Sequence, residues 1–390
     1  MTQRRRRTER ERVRGKRART DAAQGKARKG AGEATGDKGK AGGDGLVPVA
    51  RGGDVSASKS RETFIVTGGA GFIGSNLVAA LLKQHPGAHV HIVDSLRTGS
   101  YANVIEACAR AGVGPFRGAI IPCTHHEVSW EMWVDELKPR AVFHLGAITD
   151  TTLTNEREMI ECNALGFEQV ARACHAGGVP LVYASSAATY GTPPETALRK
   201  PFALHAAGMP NNVYGYSKWM LECEHRRFAS LHPGAWVVGL RYFNVFGPGE
   251  ARKGAMASMA FQLAQQVLAG KRPRLFEHGE QSRDQVYVDD VVSCTMAAAG
   301  LHNQAVEPGV YNLGSGVATS FAAIAEAVRR GLGLAKGQQE VEYFAMPEHI
   351  RKFYQDFTQA DMSETEKGLR WKPKHDPVEA VEMYARAMKR

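Results

Sequence analysis

The chain has 390 residues with 50 Lys and Arg against 40 Asp and Glu, a net charge of +10, and that excess is unevenly placed. The first 60 residues hold 17 basic against 7 acidic side chains, which leaves 33 of each for the remainder. A folded body that tracks nucleic acid over its own basic surface therefore finds no support, and no run approaches the ~18 apolar residues of a spanning helix.

The length suggests two domains with an appendage. The basic start has no apolar stretch behind it, so it does not read as a secretory signal. Six cysteines (Cys108, Cys123, Cys162, Cys174, Cys223, Cys294) are scattered without a CxxC pair. That pattern fits reduced thiols in a cytoplasmic protein and argues against a disulfide framework or a metal site.

Residues 1–60 are Arg, Lys, Gly, Ala and small polar residues. Such a segment cannot bury enough apolar surface to offset its conformational entropy, so a disordered basic tail is expected. Its charge run, led by Arg4 to Arg7, would suit nucleic acid or an anionic surface. An unstructured extension, or a start codon assigned too early, is the plainer reading.

The body opens at TFIVTGGAGFIGSNLVAALL, which reads as a buried strand, a glycine turn and an amphipathic helix. Gly68, Gly71 and Gly74 fall in GxxGxxG spacing, where the turn needs a residue without Cβ and the backbone must approach a pyrophosphate. The following helix N-terminus presents unpaired N–H groups to phosphate. HVHIVDSL then reads as a second strand ending in Asp94, twenty residues after Gly74, where an acid binds the adenine ribose. Asp94 favours NAD, whereas Arg97 could pair with a 2′-phosphate; the residues themselves leave that choice open.

Strand patterns recur at 141–147, 180–191 and 236–248, with helical patterns at 158–176 and 214–231 between them. The alternation predicts an α/β fold with a doubly wound parallel sheet, a Rossmann domain over 61–248. Residues 249–390 are expected to form mainly a smaller substrate-binding lobe that could return elements to the first sheet. Tyr214 and Lys218 form YxxxK and share a helix face. A nearby ammonium is expected to draw the phenol toward a working acid/base, and Ser186, at the end of LVYASS, adds a hydroxyl. Tyr216 is a near-duplicate of Tyr214.

TGGAGFIG, SSAATYG and YGYSK together resemble the extended short-chain dehydrogenase/reductase family of nucleotide-sugar enzymes. YASSAATYG, NVYGYSK, RYFNVFGP, KGAMASMAFQL, RDQVYVDDV, YNLGSG and YQDFTQAD are similar to its ADP-L-glycero-D-manno-heptose 6-epimerase members, over about residues 63–385. Ala187 and Ala188 stand where a dehydratase would carry Asp-Glu. The resemblance implies epimerisation at C6 with a recycled nicotinamide, NADP in preference to NAD, and a homo-oligomer. It implies Tyr214 and Lys253 as the two acid/base groups, helped by Ser186 and Lys218. It places Phe72, Ile73, Asp94, Ser95, Leu145, Gly146, Ala147, Ile148, Thr149, Asn163, Lys218 and Val245 at the cofactor. Asn244, Ala255, Gln262, Phe276, Glu277, His278, Gly279, Arg283 and Tyr354 fall at the substrate, with Arg283 as the diphosphate clamp.

The chain departs from the pattern at Ala255, where the family has serine, and at Gln262, where it has histidine. It also lacks a basic residue near Tyr101 and an acidic pattern over 120–128. A UDP- or GDP-sugar 4-epimerase or reductase is the alternative enzyme. A dinucleotide sensor without catalysis is the alternative of another class.

Overall fold

The fold is a computed structural model that describes residues 61–151, 153, 155–347 and 355–389. The expected basic tail over 1–60 and Tyr354 lie outside the described residues.

Twelve strands are described: β1 (Thr63–Thr67), β2 (His89–Val93), β3 (Ala119–Ile121), β4 (Ala141–His144), β5 (Leu181–Ser186) and β6 (Val237–Tyr242) come first. They are followed by β7 (Asn244–Phe246), β8 (Arg274–Phe276), β9 (Ser282–Tyr287), β10 (Gly309–Leu313), β11 (Ala318–Ser320) and β12 (Glu342–Phe344). Seven of them form one sheet in the order β10-β6-β5-β4-β1-β2-β3, and every pairing in it is parallel. The expected doubly wound parallel sheet is what the chain forms. Strands such as β1, β4 and β5 are buried almost throughout, as a sheet covered on both faces requires.

Two predicted elements are cut in two. The helical pattern at 158–176 is broken into helices Glu156–Asn163 and Phe167–Ala176. Gly166 between them has φ +83, a left-handed conformation that ends one helix and starts the next. The strand pattern at 236–248 is divided after Tyr242: β6 stays in the main sheet, while β7 joins β9 and β11 in a three-stranded sheet. Phe243 sits at the change of sheet and donates its N–H to Leu313 O. β10, from the last third of the chain, closes the main sheet beside β6. Among the described residues no helix is long and apolar enough to cross a membrane, and all six cysteines are free thiols.

Candidate active site

The carboxyl ends of β1, β4 and β5 assemble the site, and the glycine turn comes first. Gly68 has φ +67, and a Cβ there would lie 2.7 Å from the Gly146 backbone. At Gly74 a Cβ would reach 2.1 Å from Gly68 O. Turn, helix and the loop after β4 thus pack at a distance that admits no side chain. Helix Phe72–Gln84 begins at Gly71; no side chain caps it, and its first turn carries no acidic residue. The result is an open helix N-terminus able to receive a pyrophosphate, so the chain fits a dinucleotide here.

The flanks of this cradle are tied down by polar contacts. Thr67 Oγ1 meets His144 Nδ1 at 3.0 Å and accepts the Gly146 N–H at 2.9 Å. Burial pushes the His144 pKa well down, so the ring is neutral in this contact. Asp94 lies at the end of β2, where its two oxygens accept the N–H groups of Ala70 (3.0 Å) and Leu96 (2.9 Å). Burial raises its pKa against those two bonds. Asn163 is buried, exchanging hydrogen bonds with the Ile148 backbone at 2.7 and 2.9 Å and reaching Ser217 Oγ at 3.0 Å. It holds the loop of Leu145, Gly146, Ala147, Ile148 and Thr149 against the YxxxK helix. Ser95 and Thr149 are exposed, whereas Val245 lies in the core on β7.

The YxxxK helix spans Val213–Leu231, with Asn212 Oδ1 capping the Gly215 N–H at 2.8 Å. A Cβ at Gly215 would lie 2.5 Å from Ala188 O, so the first turn of this helix packs directly on the turn after Ser186. The Tyr214 hydroxyl is hydrogen-bonded to Ser186, and Lys218 Nζ donates to Ala184 O at 2.9 Å. The three side chains therefore converge. Their electrostatics differ from the sequence expectation. Burial raises the Tyr214 pKa, opposed only by the Ser186 bond, and burial brings Lys218 down to about 7. Burial outweighs the Ser186 bond, so Tyr214 rests as a neutral donor.

Lys253 lies in the irregular helical loop Glu250–Met256, with Nζ 5.5 Å from the centroid of the Phe72 ring. That contact brings the loop against the start of the glycine-turn helix. Asn76 adds a tie, donating to Phe72 O at 2.9 Å and Pro248 O at 2.8 Å. Burial lowers the Lys253 pKa and the Glu250 charge opposes the drop. Glu250 itself is fully buried and accepts from Gly247 N (3.1 Å), Ser258 N (2.6 Å) and Ser258 Oγ (2.9 Å). It staples the loop that carries Lys253. Sequence reading missed it, because a glutamate after Pro-Gly looks like any surface acid.

The expected substrate residues are spread over the smaller sheets. Asn244 starts β7, exposed, in register with Gln285 of β9. Arg283 is two residues before Gln285 and so projects from the same side of β9, its guanidinium 5.8 Å from the Phe321 ring. Phe276 ends β8 against Phe344, and Glu277, His278 and Gly279 turn the chain with φ +53 at Glu277 and +70 at Gly279. Gln262 Nε2 donates to Ala255 O (3.2 Å) and Ala257 O (2.8 Å). Those bonds commit Gln262 to fixing its own loop, and Ala255 contributes only its carbonyl to them.

Asp284 explains why RDQVYVDDV, YNLGSG and FTQAD occur together. It is fully buried and accepts from Ser315 N, Ser315 Oγ, Gly316 N and Ala360 N at 2.6–2.9 Å. Burial still pushes its pKa up to about 6. The folded value exceeds the unfolded one, so this group's contribution is full below about pH 4 and fades as pH rises through 6. Asp284→Asn is expected to remove that slope. Because an amide nitrogen cannot accept the Gly316 and Ala360 N–H groups, it should also cost about 1–3 kcal/mol at pH 5. Urea unfolding at several pH values measures both effects, and an unchanged slope would refute the assignment.

With this geometry in place, residues 64–314 match the NAD dependent epimerase/dehydratase family. The chain is similar to the ADP-L-glycero-D-manno-heptose-6-epimerase of Helicobacter pylori, at 32% identity over 83% of this chain and 95% of that one, with a TM-score of 0.69. It shares its fold with the UDP-N-acetylglucosamine 4-epimerase of Methanobrevibacter ruminantium, at 24% identity over 84% and 97%, TM-score 0.70. MoeE5, solved with UDP-glucose and NAD, is 25% identical over 84% and 98%, TM-score 0.64. A family match over more than half the chain, on top of an open glycine cradle, settles kinship: the chain belongs to the NAD dependent epimerase/dehydratase family.

Proposed function

We propose that this chain interconverts ADP-D-glycero-D-manno-heptose and ADP-L-glycero-D-manno-heptose by inverting C6 through a transient ketone. The observation that carries the reading is the pair of acid/base groups on separate elements: Tyr214 on Ser186, and Lys253 over Phe72. Hydride leaves one face of C6 and returns to the other, so the C6 oxygen takes two positions, and two acid/base groups on separate elements can each serve one of them. The similarity to the Helicobacter pylori heptose epimerase supports the same choice.

A bound oxidised nicotinamide dinucleotide would take the hydride from C6 and give it back to the opposite face. The chain's own residues do the rest. The helix N-terminus at Gly71, Phe72 and Ile73 holds the pyrophosphate, and Asp94 faces the adenine ribose. Lys218, at a pKa of about 7, holds the nicotinamide ribose and sets the charge beside Tyr214. Ser186 orients the Tyr214 hydroxyl, which exchanges the proton of the C6 oxygen on one face. Lys253, its ammonium weakened by burial, exchanges it on the other. Arg283 clamps the diphosphate, beside Asn244. A homo-oligomer and a cytoplasmic setting are part of this reading.

A panel of ADP-, UDP- and GDP-linked sugars tests it. C6 inversion of the ADP-heptose alone is the expected outcome; turnover of a UDP- or GDP-hexose at C4 would make the chain a 4-epimerase. Bound dinucleotide with no turnover on any sugar would make it a sensor. Absorbance of the reduced cofactor should stay flat while product forms, because the hydride returns to the substrate. Stoichiometric accumulation of reduced cofactor would show a simple dehydrogenase instead.

A further inference from the structure

One face of the small three-stranded sheet carries buried polar side chains that the fold leaves unpaired. Phe321 N–H donates to Gln281 O at 3.0 Å, which extends the β9–β11 ladder by one residue. Gln281, Arg283 and Gln285 therefore alternate along one strand and project from one side of it. Thr319 of β11 lies opposite Arg283, and Asn244 of β7 lies opposite Gln285, which puts both on that same side. Gln281, Gln285 and Thr319 are 7%, 2% and 4% exposed. Gln281 Oε1, Gln285 Oε1 and Thr319 Oγ1 nevertheless have no hydrogen-bond partner in the chain. Buried polar atoms are normally paired, and an orphaned one carries its full desolvation cost. The face also has a direction. Ser186 pairs with Tyr242 at the ends of β5 and β6, and Asn244 follows two residues later. Gln285 thus stands at the end nearest the reacting groups, and Gln281 lies about 13 Å further along the strand.

We propose that Gln285, Thr319 and Gln281 are specificity-determining residues that read the nucleotide sugar in linear order. Gln285 accepts from a hydroxyl of the sugar, Thr319 donates to the diphosphate beside Arg283, and Gln281 accepts from a hydroxyl of the nucleoside ribose. The inference rests on the nucleotide-sugar part of the proposed function and not on the base or on inversion at C6. The chemistry of the two sides matches. An amide oxygen only accepts, a guanidinium only donates and a threonine hydroxyl can donate. Along β9 the face therefore runs acceptor, donors, acceptor. A sugar diphosphate linked to a ribose presents hydroxyl donors, then ionised oxygens that only accept, then hydroxyl donors again. An apolar side chain at 281 or 285 would fill the same space and read nothing.

The test is calorimetric titration of the full chain, saturated with NAD so that the cofactor cradle takes up no probe. ADP, 2′,3′-dideoxy-ADP and ADP-mannose are the probes, with UDP, 2′,3′-dideoxy-UDP and UDP-glucose as a second set. The unaltered chain should bind ADP about 10-fold more tightly than its dideoxy form, and ADP-mannose about 10-fold more tightly than ADP, each equivalent to about 1.4 kcal/mol. Gln281→Leu should erase the first ratio and leave the second. Gln285→Leu should erase the second and leave the first. Thr319→Val should weaken all three probes alike. Replacing an amide whose oxygen has no partner should leave the melting temperature of the chain unchanged or higher. A lower melting temperature with both ratios intact would show that the amides serve only the fold and would overturn the proposal. Unchanged ratios, effects exchanged between the two variants, or binding of neither set would also overturn it. The expected pattern in the uridine set alone would overturn the ADP-heptose reading and leave this recognition standing.

Discussion

Tyr214→Phe and Lys253→Met are each expected to lower epimerisation by ~10²–10⁴, the usual worth of a positioned acid/base group, while the fold survives. Tyr214→Phe removes no charge; Lys253→Met removes the cation that acts on buried Glu250, whose carboxylate keeps its bonds to Gly247 and Ser258. Tyr214 gives up one hydroxyl bonded to Ser186, and Lys253 gives up its placement over Phe72. Because the two groups are assigned to opposite faces, each variant should lose exchange chiefly with one epimer, so both epimers must be offered to each. Tyr216→Phe is the control. Its ring is 48% exposed, one turn position away from the converged side chains, and its loss should cost far less. Should Lys253→Met epimerise at the normal rate, the second proton would have to come from Tyr214 or from water, and the two-base reading would fall.

The parts of this site that were legible in the sequence are those whose spacing is local. Gly68, Gly71 and Gly74 lie within seven residues, and the reason at Gly74 is local, since a Cβ there would meet Gly68 O; the contact that bars a Cβ at Gly68 comes from Gly146, far along the chain. Tyr214 and Lys218 share a helix face by periodicity alone. Their charge states were not legible, because desolvation depends on what the rest of the chain places around them. The ammonium of Lys218 was expected to draw the Tyr214 phenol down, whereas burial raises it. Gly166 split a predicted helix because periodicity records which face is buried and is blind to one left-handed residue.

Buried carboxylates were the largest omission. Glu222, Glu250 and Asp284 are all fully buried, yet nothing in their immediate neighbours distinguishes them from solvated acids. What marks them is partners elsewhere in the chain. Asp284 collects donors from 315, 316 and 360, and Glu250 is also bonded to Tyr384. The segments RDQVYVDDV, YNLGSG and FTQAD, far apart in the chain, thus meet one another at a single carboxylate.

The second large expected effect concerns the ion pair under the catalytic strands. Arg241 on β6 grips Glu222 with two bonds, Nε to Oε1 at 2.9 Å and Nη2 to Oε2 at 2.7 Å. Arg241 also donates to Tyr190 and to Leu204 O, and Ser185 Oγ donates to Glu222 at 2.6 Å. Both charged side chains are almost fully buried. Glu222 is four residues after Lys218 on the YxxxK helix, and Ser185 immediately precedes Ser186. The pair thus fastens the helix that carries Tyr214 to the strand that carries its serine. Arg241→Met strands a carboxylate in the core, with only the more distant Arg226 at 3.5 Å to offset it. The expected loss is about 3–5 kcal/mol, read as a lower urea midpoint. Pairing it with Glu222→Leu should restore much of that stability, because no buried charge then lacks a partner. Turnover should nevertheless stay depressed in the double variant, since Ser185 has lost the acceptor that fixes its strand end. A single variant costing under about 1 kcal/mol would mean that water reaches this pair. A double variant with normal turnover would mean that the pair stabilises the fold without placing Ser186 or Tyr214.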